Sequence, residues 1–264
     1  MITKTNDHDP APDTIVRTVR YSPNQRMVRH CDGHSRISVV LAGTLRETAA
    51  KRREAEVGVL GVAVKSADAP HATQFGPHGA CVASIDLDRL IDDDRRSRTR
   101  WRWMPGPALD KELRATLTAL VEIRAQPAHG ETQDGLREAC LLLLDRLASA
   151  PPHRRAERSW LRSVRERIDD APQDSPGVTE LAGEVGVSTT HLTRCFNAAY
   201  GRSVTDYRTL RRIERAVDRL AEPGARLAEV AIETGFHDQA HFTRRFRALI
   251  GTTPALWRRR LLTF

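Results

Sequence analysis

Arg194 and Arg244 each follow a threonine, Thr193 and Thr243, in two segments fifty positions apart. The segments read "GVSTTHLTRCFNAAYG" (186–201) and "GFHDQAHFTRRFRALIG" (235–251). An arginine guanidinium can make two parallel hydrogen bonds to guanine. Asparagine and glutamine can do the same to adenine, and a threonine methyl can meet that of thymine. The set expected on the outside of the first segment is Thr189, Thr190, Thr193, Arg194 and Asn197. In the second it is Gln239, Ala240, Thr243, Arg244 and Arg247. These side chains suit the reading of base edges. One such face would be an ordinary solvated helix; two in register point to a duplicated reading unit.

The repeat shows which elements must hold those faces. Ala182 aligns with Ala231 and Gly186 with Gly235, at an offset of 49. Beyond the turn the offset becomes 50: Leu192 with Phe242, Phe196 with Phe246, Gly201 with Gly251, Ser203 with Thr253 and Tyr207 with Trp257. The one extra residue falls in the turn, so the flanking helices stay intact. Each half reads as helix, glycine turn, helix. Gly186 supplies a positive φ where the first helix ends. Ser188 and its counterpart Asp238 are good N-caps for the second helix. Leu192, Phe196 and Tyr200 share the inner face. Together these features form a helix-turn-helix, whose second helix enters the major groove.

Composition agrees. The chain of 264 residues carries a net charge of +8. From His153 onward it holds 20 arginines, no lysine and 14 acidic residues, so most of the excess lies where the repeat lies. A basic region favours a polyanionic partner. Residues 1–14 are polar and proline-punctuated and are expected to form a flexible tail rather than a signal peptide. No apolar run is long enough to span a bilayer, so a soluble, cytoplasmic protein is expected. Cys31, Cys81, Cys140 and Cys195 are scattered, which suits small buried side chains better than a disulfide framework or a zinc ribbon.

Short β-rich runs, "RISVVLAGTLRET" (36–48), "VGVLGVAV" (57–64) and "ACVASIDL" (80–87), fit a sandwich or barrel. Then the period changes. Leu109, Leu113, Leu117, Leu120 and Ile123 mark one amphipathic helix, and Leu136, Cys140, Leu143 and Leu147 a second. Their apolar stripes could cover the β domain or another subunit. "SAPPHRRAE" (149–157) reads as a linker, and everything beyond it as helical.

The C-terminal hundred or so residues resemble the AraC/XylS family of bacterial transcription regulators. The resemblance rests on "LAGEVGVSTTHLTRCFNAAYGRSVTDYRTLRRIERAVDRL" and "LAEVAIETGFHDQAHFTRRFRALIGTTPALWRRRL". In the second, G-F-x-D-Q-x-H-F-x-R-x-F followed by G-x-T-P is specific. The resemblance implies an α+β chain with several parts: a cupin-like β-barrel sensor (15–105), a helical hairpin for linkage or dimerisation (106–150) and a DNA-binding domain (157–264). The last would hold helix-turn-helix units at about 178–200 and 227–250, joined by a rigid helix of about 204–221. A spacer of that kind can set two recognition helices about 34 Å apart, one DNA turn. The implied base-facing residues are Thr190, Thr193 and Arg194, then Gln239, Ala240, Thr243 and Arg244. Arg202, Arg211, Arg212, Arg245 and Arg258–Arg260 become candidates for phosphate contact, although the last run reads equally well as a solvated terminus.

By the same resemblance "RHCDGHSRISVVLAGTL" (29–45) is similar to a first cupin motif ending on a turn at Gly43. His30 and Asp32 fall where a metal cupin places two histidines, Arg36 falls at its glutamate and His71 at its last histidine. Two positions depart from the pattern. With His34 as a substitute, His30, His34 and His71 could hold a divalent metal ion, which an arginine alongside would oppose. The other reading is a non-catalytic pocket for a small effector, or a scaffold. The chain is therefore expected to be a DNA-binding regulator and not an enzyme, with double-stranded DNA, a small-molecule effector and a second copy of itself as partners. The alternative is a metal-dependent cupin enzyme or metal sensor with a DNA-binding tail.

Overall fold

A computed structural model describes residues 15–49, 54–94, 102–104, 111–126, 130–149 and 158–262. The expected tail (1–14), residue Leu109 and nearly all of the expected linker lie outside them. The chain divides into two compact units, Met1–Ser149 with Ile250–Phe264, and Ala150–Leu249. The expected boundary of 157–264 runs past the end of the second unit, because the last residues cluster with the first.

Among the described residues the first unit is built on seven antiparallel strands. They are β1 (Val16–Tyr21), β2 (Arg26–His30), β3 (Arg36–Ala49), β4 (Glu54–Val57), β5 (Val62–Lys65), β6 (His71–Asp86) and β7 (Arg102–Met104). Their order is β1-β6-β3-β5-β7, with β2 also on β6 and β4 also on β3. Among the described residues β1 and β7 do not pair, so the sheet is open where a closed barrel was expected. The long strands β3 and β6 pair along most of their length, from Arg36 opposite Asp86 to Ala49 opposite His71. Gly43 sits inside β3 beside a register shift, not in the expected turn. The expected single strand over 57–64 is broken at 58–61. There Leu60 takes a φ of 63° and Gly61 N–H bonds to the Gly58 carbonyl at 2.9 Å. The third run, 80–87, is the second half of the longer β6. Ile37, Leu41, Ile85 and Leu87 are fully buried, and Tyr21 stacks on Phe75 with ring centroids 4.0 Å apart.

Two helices follow, α1 (Lys111–Ala125) and α2 (Gly130–Ser149). Both expected stripes, Leu113, Leu117, Leu120 and Ile123, then Leu136, Cys140, Leu143 and Leu147, are buried within the chain. Burial pushes the Cys81 and Cys140 thiols up to about 12, as for small buried side chains.

The second unit is helical: α3 (Ser159–Asp170), α4 (Val178–Glu184), α5 (Thr189–Tyr200), α6 (Val204–Leu220), α7 (Leu227–Glu233) and α8 (Gln239–Ile250, whose last residue falls in the first unit). Leu161, Val164, Ile168, Leu181, Ala182, Leu192, Phe196 and Val204 form one buried cluster. In the second half Val230, Ala231, Phe236, Phe242 and Phe246 are buried. Edge-to-face packing of Phe242 on Phe246 replaces the Leu192–Phe196 pair of the first half. Helix α6 buries Leu210, Ile213, Val217 and Leu220, as its spacing predicts. A short α9 (Pro254–Trp257) and a π-helical turn, Arg258–Leu262, close the described chain and belong to the first unit.

The two turn glycines both have positive φ, 68° at Gly186 and 85° at Gly235. Their surroundings differ. A Cβ on Gly186 would meet nothing, whereas one on Gly235 would lie 2.7 Å from Gln173 Cα and 2.9 Å from its carbonyl oxygen. Gly235→Ala is therefore expected to destabilise by clearly more than the roughly 1 kcal/mol of a positive-φ alanine, and Gly186→Ala by about that amount. Urea unfolding of the two variants checks the order, and equal losses would contradict it.

Candidate nucleic-acid interface

Each recognition helix is started by a side chain that accepts from the backbone. Ser188 Oγ accepts the His191 N–H at 3.2 Å, and Asp238 Oδ1 accepts the His241 N–H at 2.6 Å. That bond and the His237 imidazole hold the Asp238 carboxyl below its ordinary range. The next helices begin the same way, Ser203 accepting from Asp206 N–H and Thr253 from Leu256 N–H. The repeat thus preserves capping chemistry as well as core.

The predicted base-facing residues lie on the outer faces. On α5, Thr190, Thr193 and Arg194 are exposed; on α8, Gln239, Ala240 and Arg244 are exposed and Thr243 is half-buried. Thr193 Oγ1 donates to the Thr189 carbonyl at 2.9 Å, which leaves its methyl as the outward group. Arg194 reaches back to His191 Nδ1 at 3.4 Å. Arg244 and Arg247 are exposed on α8 and make the second face the more positive. Arg245 leans onto α6 instead, donating to Thr209 Oγ1 at 3.3 Å and standing 3.8 Å from Asp206.

Two arginines expected to touch phosphate are internal. Arg211 pairs with Asp169 at 2.8 Å and Glu214 at 2.5 Å. Arg212 donates to three main-chain carbonyls: Pro172 at 2.7 Å, Gly235 at 2.6 Å and Gln173 at 3.0 Å. Their neighbours do similar work. Arg208 donates to the Pro176 carbonyl at 3.0 Å and Arg215 to that of Asp170 at 2.6 Å, while Arg219 pairs with Glu233 at 2.7 Å. The arginine-rich stretch of α6 is thus a set of clamps on the α3–α4 loop and the second turn. The Arg258–Arg260 run falls in the first unit, where the Arg260 carbonyl accepts from Arg124 Nε at 3.2 Å and Leu261 and Leu262 are buried. It is neither a free terminus nor part of the unit that carries the recognition helices.

In the first unit the structure brings two of the three predicted metal ligands together. His30 and His71 are paired across β2 and β6, with ring centroids 4.3 Å apart. His34 does not join them; its ring lies 3.7 Å from Asp88, half-exposed, in a separate group with Asp86. The loop after β2 instead turns Asp32 toward His30 and His71. Sequence reading counted Asp32 as a departure from a pattern, and its spacing of two from His30 was the available signal. The reading also missed Lys65 and Glu47, a buried ion pair between β5 and β3.

Replacing Arg212 with alanine would strand three main-chain oxygens. At about 1.5–3 kcal/mol for a hydrogen bond to a charged group, with partial water replacement, the expected loss is about 2–4 kcal/mol. Arg212→Lys should recover only part of it, because an ammonium cannot span three divergent carbonyls. Thermal unfolding of the two variants tests this, and wild-type stability in Arg212→Ala would refute it.

Residues 181–260 match a family model described as a helix-turn-helix domain. A relative described as the probable transcription factor PqrA of Proteus vulgaris is 32% identical over 99 residues, covering 38% of this chain and 77% of that protein. The HTH-type transcriptional regulator GlxA of Rhizobium meliloti (strain 1021) is 35% identical over 101 residues, covering 38% of this chain. The chain spans about three quarters of the first relative's length and only 31% of the second's. Among solved structures, the C-terminal domain of AraT, a response regulator from Geobacillus stearothermophilus, aligns at 23% identity with a TM-score of 0.39, over 42% of this chain and 92% of that one. With two capped and glycine-turned helix pairs in tandem, the chain belongs to the AraC family of helix-turn-helix DNA-binding transcription regulators.

Proposed function

We propose that the chain reads two adjacent major-groove segments of a promoter, one with each recognition helix. A small molecule held by its N-terminal domain would set when it does so. The observation that carries the reading is the pair of helix-turn-helix units with matched cores and unlike outer faces. Thr190, Thr193 and Arg194 face one set of bases, and Gln239, Ala240, Thr243 and Arg244 the other. Arg245 lies close enough to the second face to reach a phosphate, in competition with Asp206. The domain plan in this proposal is a cupin-like sensor over 15–105, a hairpin over 106–150 and a DNA-binding domain over 157–264.

The place proposed for such a molecule is a small cavity of about 30 Å³ in the sheet domain, which would have to widen to admit more than a water. Met27, Val40, Leu45, Val57 and Phe75 make its apolar wall, and Lys65, Glu47 and Thr73 its polar end. Apolar pockets with a few convergent polar groups are the usual shape of small-molecule sites. Pairing of two copies through the hairpin falls to its outer face, around the half-exposed Leu142, because both apolar stripes are already covered. No described helix is long and apolar enough to cross a membrane, which fits work on DNA in the cytoplasm.

A gel-shift against the DNA upstream of its own gene, with excess competitor, tests the reading. Binding should prefer one sequence and weaken steeply with salt. Arg194→Ala and Arg244→Ala should each relax the preference at one position, by about 1–3 kcal/mol. Equal affinity for competitor at moderate salt would sink the proposal.

A further inference from the structure

Arg211 on α6 serves two carboxylates, and serves them unequally. Its Nε lies 2.8 Å from Asp169 Oδ1 on α3, and its Nη1 donates to Glu214 Oε2 at 2.5 Å. Asp169 has further support. The Tyr207 hydroxyl donates to its Oδ1 at 2.8 Å, and Arg165 Nε lies 3.9 Å from its Oδ2. Glu214 is served on one oxygen only. It is 8% exposed, and its Oε1 is buried with no hydrogen-bond partner among the described residues. Asp218, one turn further along α6, adds a third negative charge within electrostatic reach. An ionised oxygen left unpaired in a buried place costs far more than a neutral hydroxyl. A proton on Oε1 removes that cost.

We propose that Glu214 holds a proton in the folded chain and that losing it loosens the seam between α3 and α6, which makes the first helix-turn-helix unit responsive to pH. The place in the fold gives the proton its leverage. Helix α3 contributes Leu161, Val164 and Ile168 to the core that also holds Leu181, Leu192 and Phe196, so it supports the first recognition helix. Helix α6 is the spacer to the second, and Glu214 is buried on it alongside Ile213 and Val217. Neutral, Glu214 is a packed side chain with one bond from Arg211. Ionised, it is a desolvated charge within reach of Asp169 and Asp218, and it shares its guanidinium with the first of them.

The surrounding groups act in the same direction. Burial is the largest influence on the Glu214 carboxyl and lifts it to about 7. Arg211 pulls it down by less, and Asp169 and Asp218 push it up as well. Burial, with the Asp169 charge second, raises the Tyr207 phenol above its ordinary range, so it stays a donor to Asp169. Of the other helices packed on α6, α5 brings the ring of Tyr200 to that of Tyr207, with centroids 5.9 Å apart. Helix α7 brings Glu233, which Arg219 takes up at 2.7 Å. Arg212 and Arg215 are engaged with carbonyls of the loop after α3. Because the Glu214 carboxyl lies higher in the folded chain than its ordinary 4.5, folding takes up a proton. The stabilisation is complete below about 4.5 and is lost as pH rises through about 7.

The full chain, labelled with ¹³C in its glutamate carboxyls and free of DNA, is titrated by NMR. One carboxyl should titrate at about 7, against roughly 4.3 for an unperturbed glutamate, and Glu214→Gln should delete that signal. Asp169→Asn should move it down, because Arg211 is then left to Glu214 alone; a merely structural contact predicts no such direction. Hydrogen exchange of the α3 and α6 amides, corrected for the intrinsic rate, gives the second readout. Opening in wild type should be about tenfold more frequent at pH 8 than at pH 6, and nearly equal at the two in Glu214→Gln. That variant matches the neutral side chain in shape and charge, so it should fold as well as wild type at the lower pH. Four results would each overturn the proposal: no wild-type glutamate titrating between about 6 and 8, survival of the signal in Glu214→Gln, an upward move in Asp169→Asn, or an undiminished pH response of α3 and α6 in Glu214→Gln. No DNA is present, so failure here is separate from failure of the proposed promoter reading.

Discussion

Three N–H groups of Arg212 point to the main-chain oxygens of Pro172, Gln173 and Gly235, and much of the second unit depends on that fan of bonds. The oxygens belong to two parts of the chain, the loop after α3 and the turn before α8. The second is anchored by the buried Phe236, and Arg212 joins the first to it. A side chain with five donors in a planar fork can join them. Because Arg212 sits on α6, a rod of about 25 Å for its 17 residues at 1.5 Å each, the second turn is tied to the element that spaces the two recognition helices. Gly235 is needed at that point for the same reason. Its missing Cβ makes room for Gln173, and its carbonyl is one of the three acceptors.

The exposed faces of α5 and α8 were legible because helix periodicity is strict. Once Leu192 and Phe196 are assigned inward, Thr193, Arg194 and Asn197 must lie elsewhere, and the same logic holds for Phe242 and Phe246. Capping was legible because few residue types can accept a backbone N–H from the N-cap position. The turns were legible from glycine, which alone takes positive φ without cost. The stripes of α1 and α2 followed from spacing in the same way.

What the sequence hid was the destination of long polar side chains. Arg211 and Arg212 lie in a run that looks like a basic patch, yet both point inward. Charge and spacing cannot distinguish a guanidinium that meets phosphate from one that meets a carbonyl forty residues away. The sheet was less legible still. The β-branched run at 57–64 gave no sign that Leu60 would take a positive φ and split it, because pairing with β3 decides that. Asp32 and His34 flank Gly33 with equal chemical claim to join His30, and only the path of the loop into β3 selects Asp32.

The last described residues carry a consequence for how the molecule is made. Leu261 and Leu262 are buried in the first unit, where their carbonyls accept from Cys81 Sγ at 3.8 Å and Arg20 at 3.2 Å. A ribosome delivers the chain from its N-terminus, and domains generally fold in that order as they emerge. Here the unit that is synthesised first cannot be finished until the unit that is synthesised second has already left the ribosome. Strands β1 and β6 must wait, part-covered, through more than a hundred further residues of translation. The helical unit, with its short-range contacts, can close before its older neighbour does.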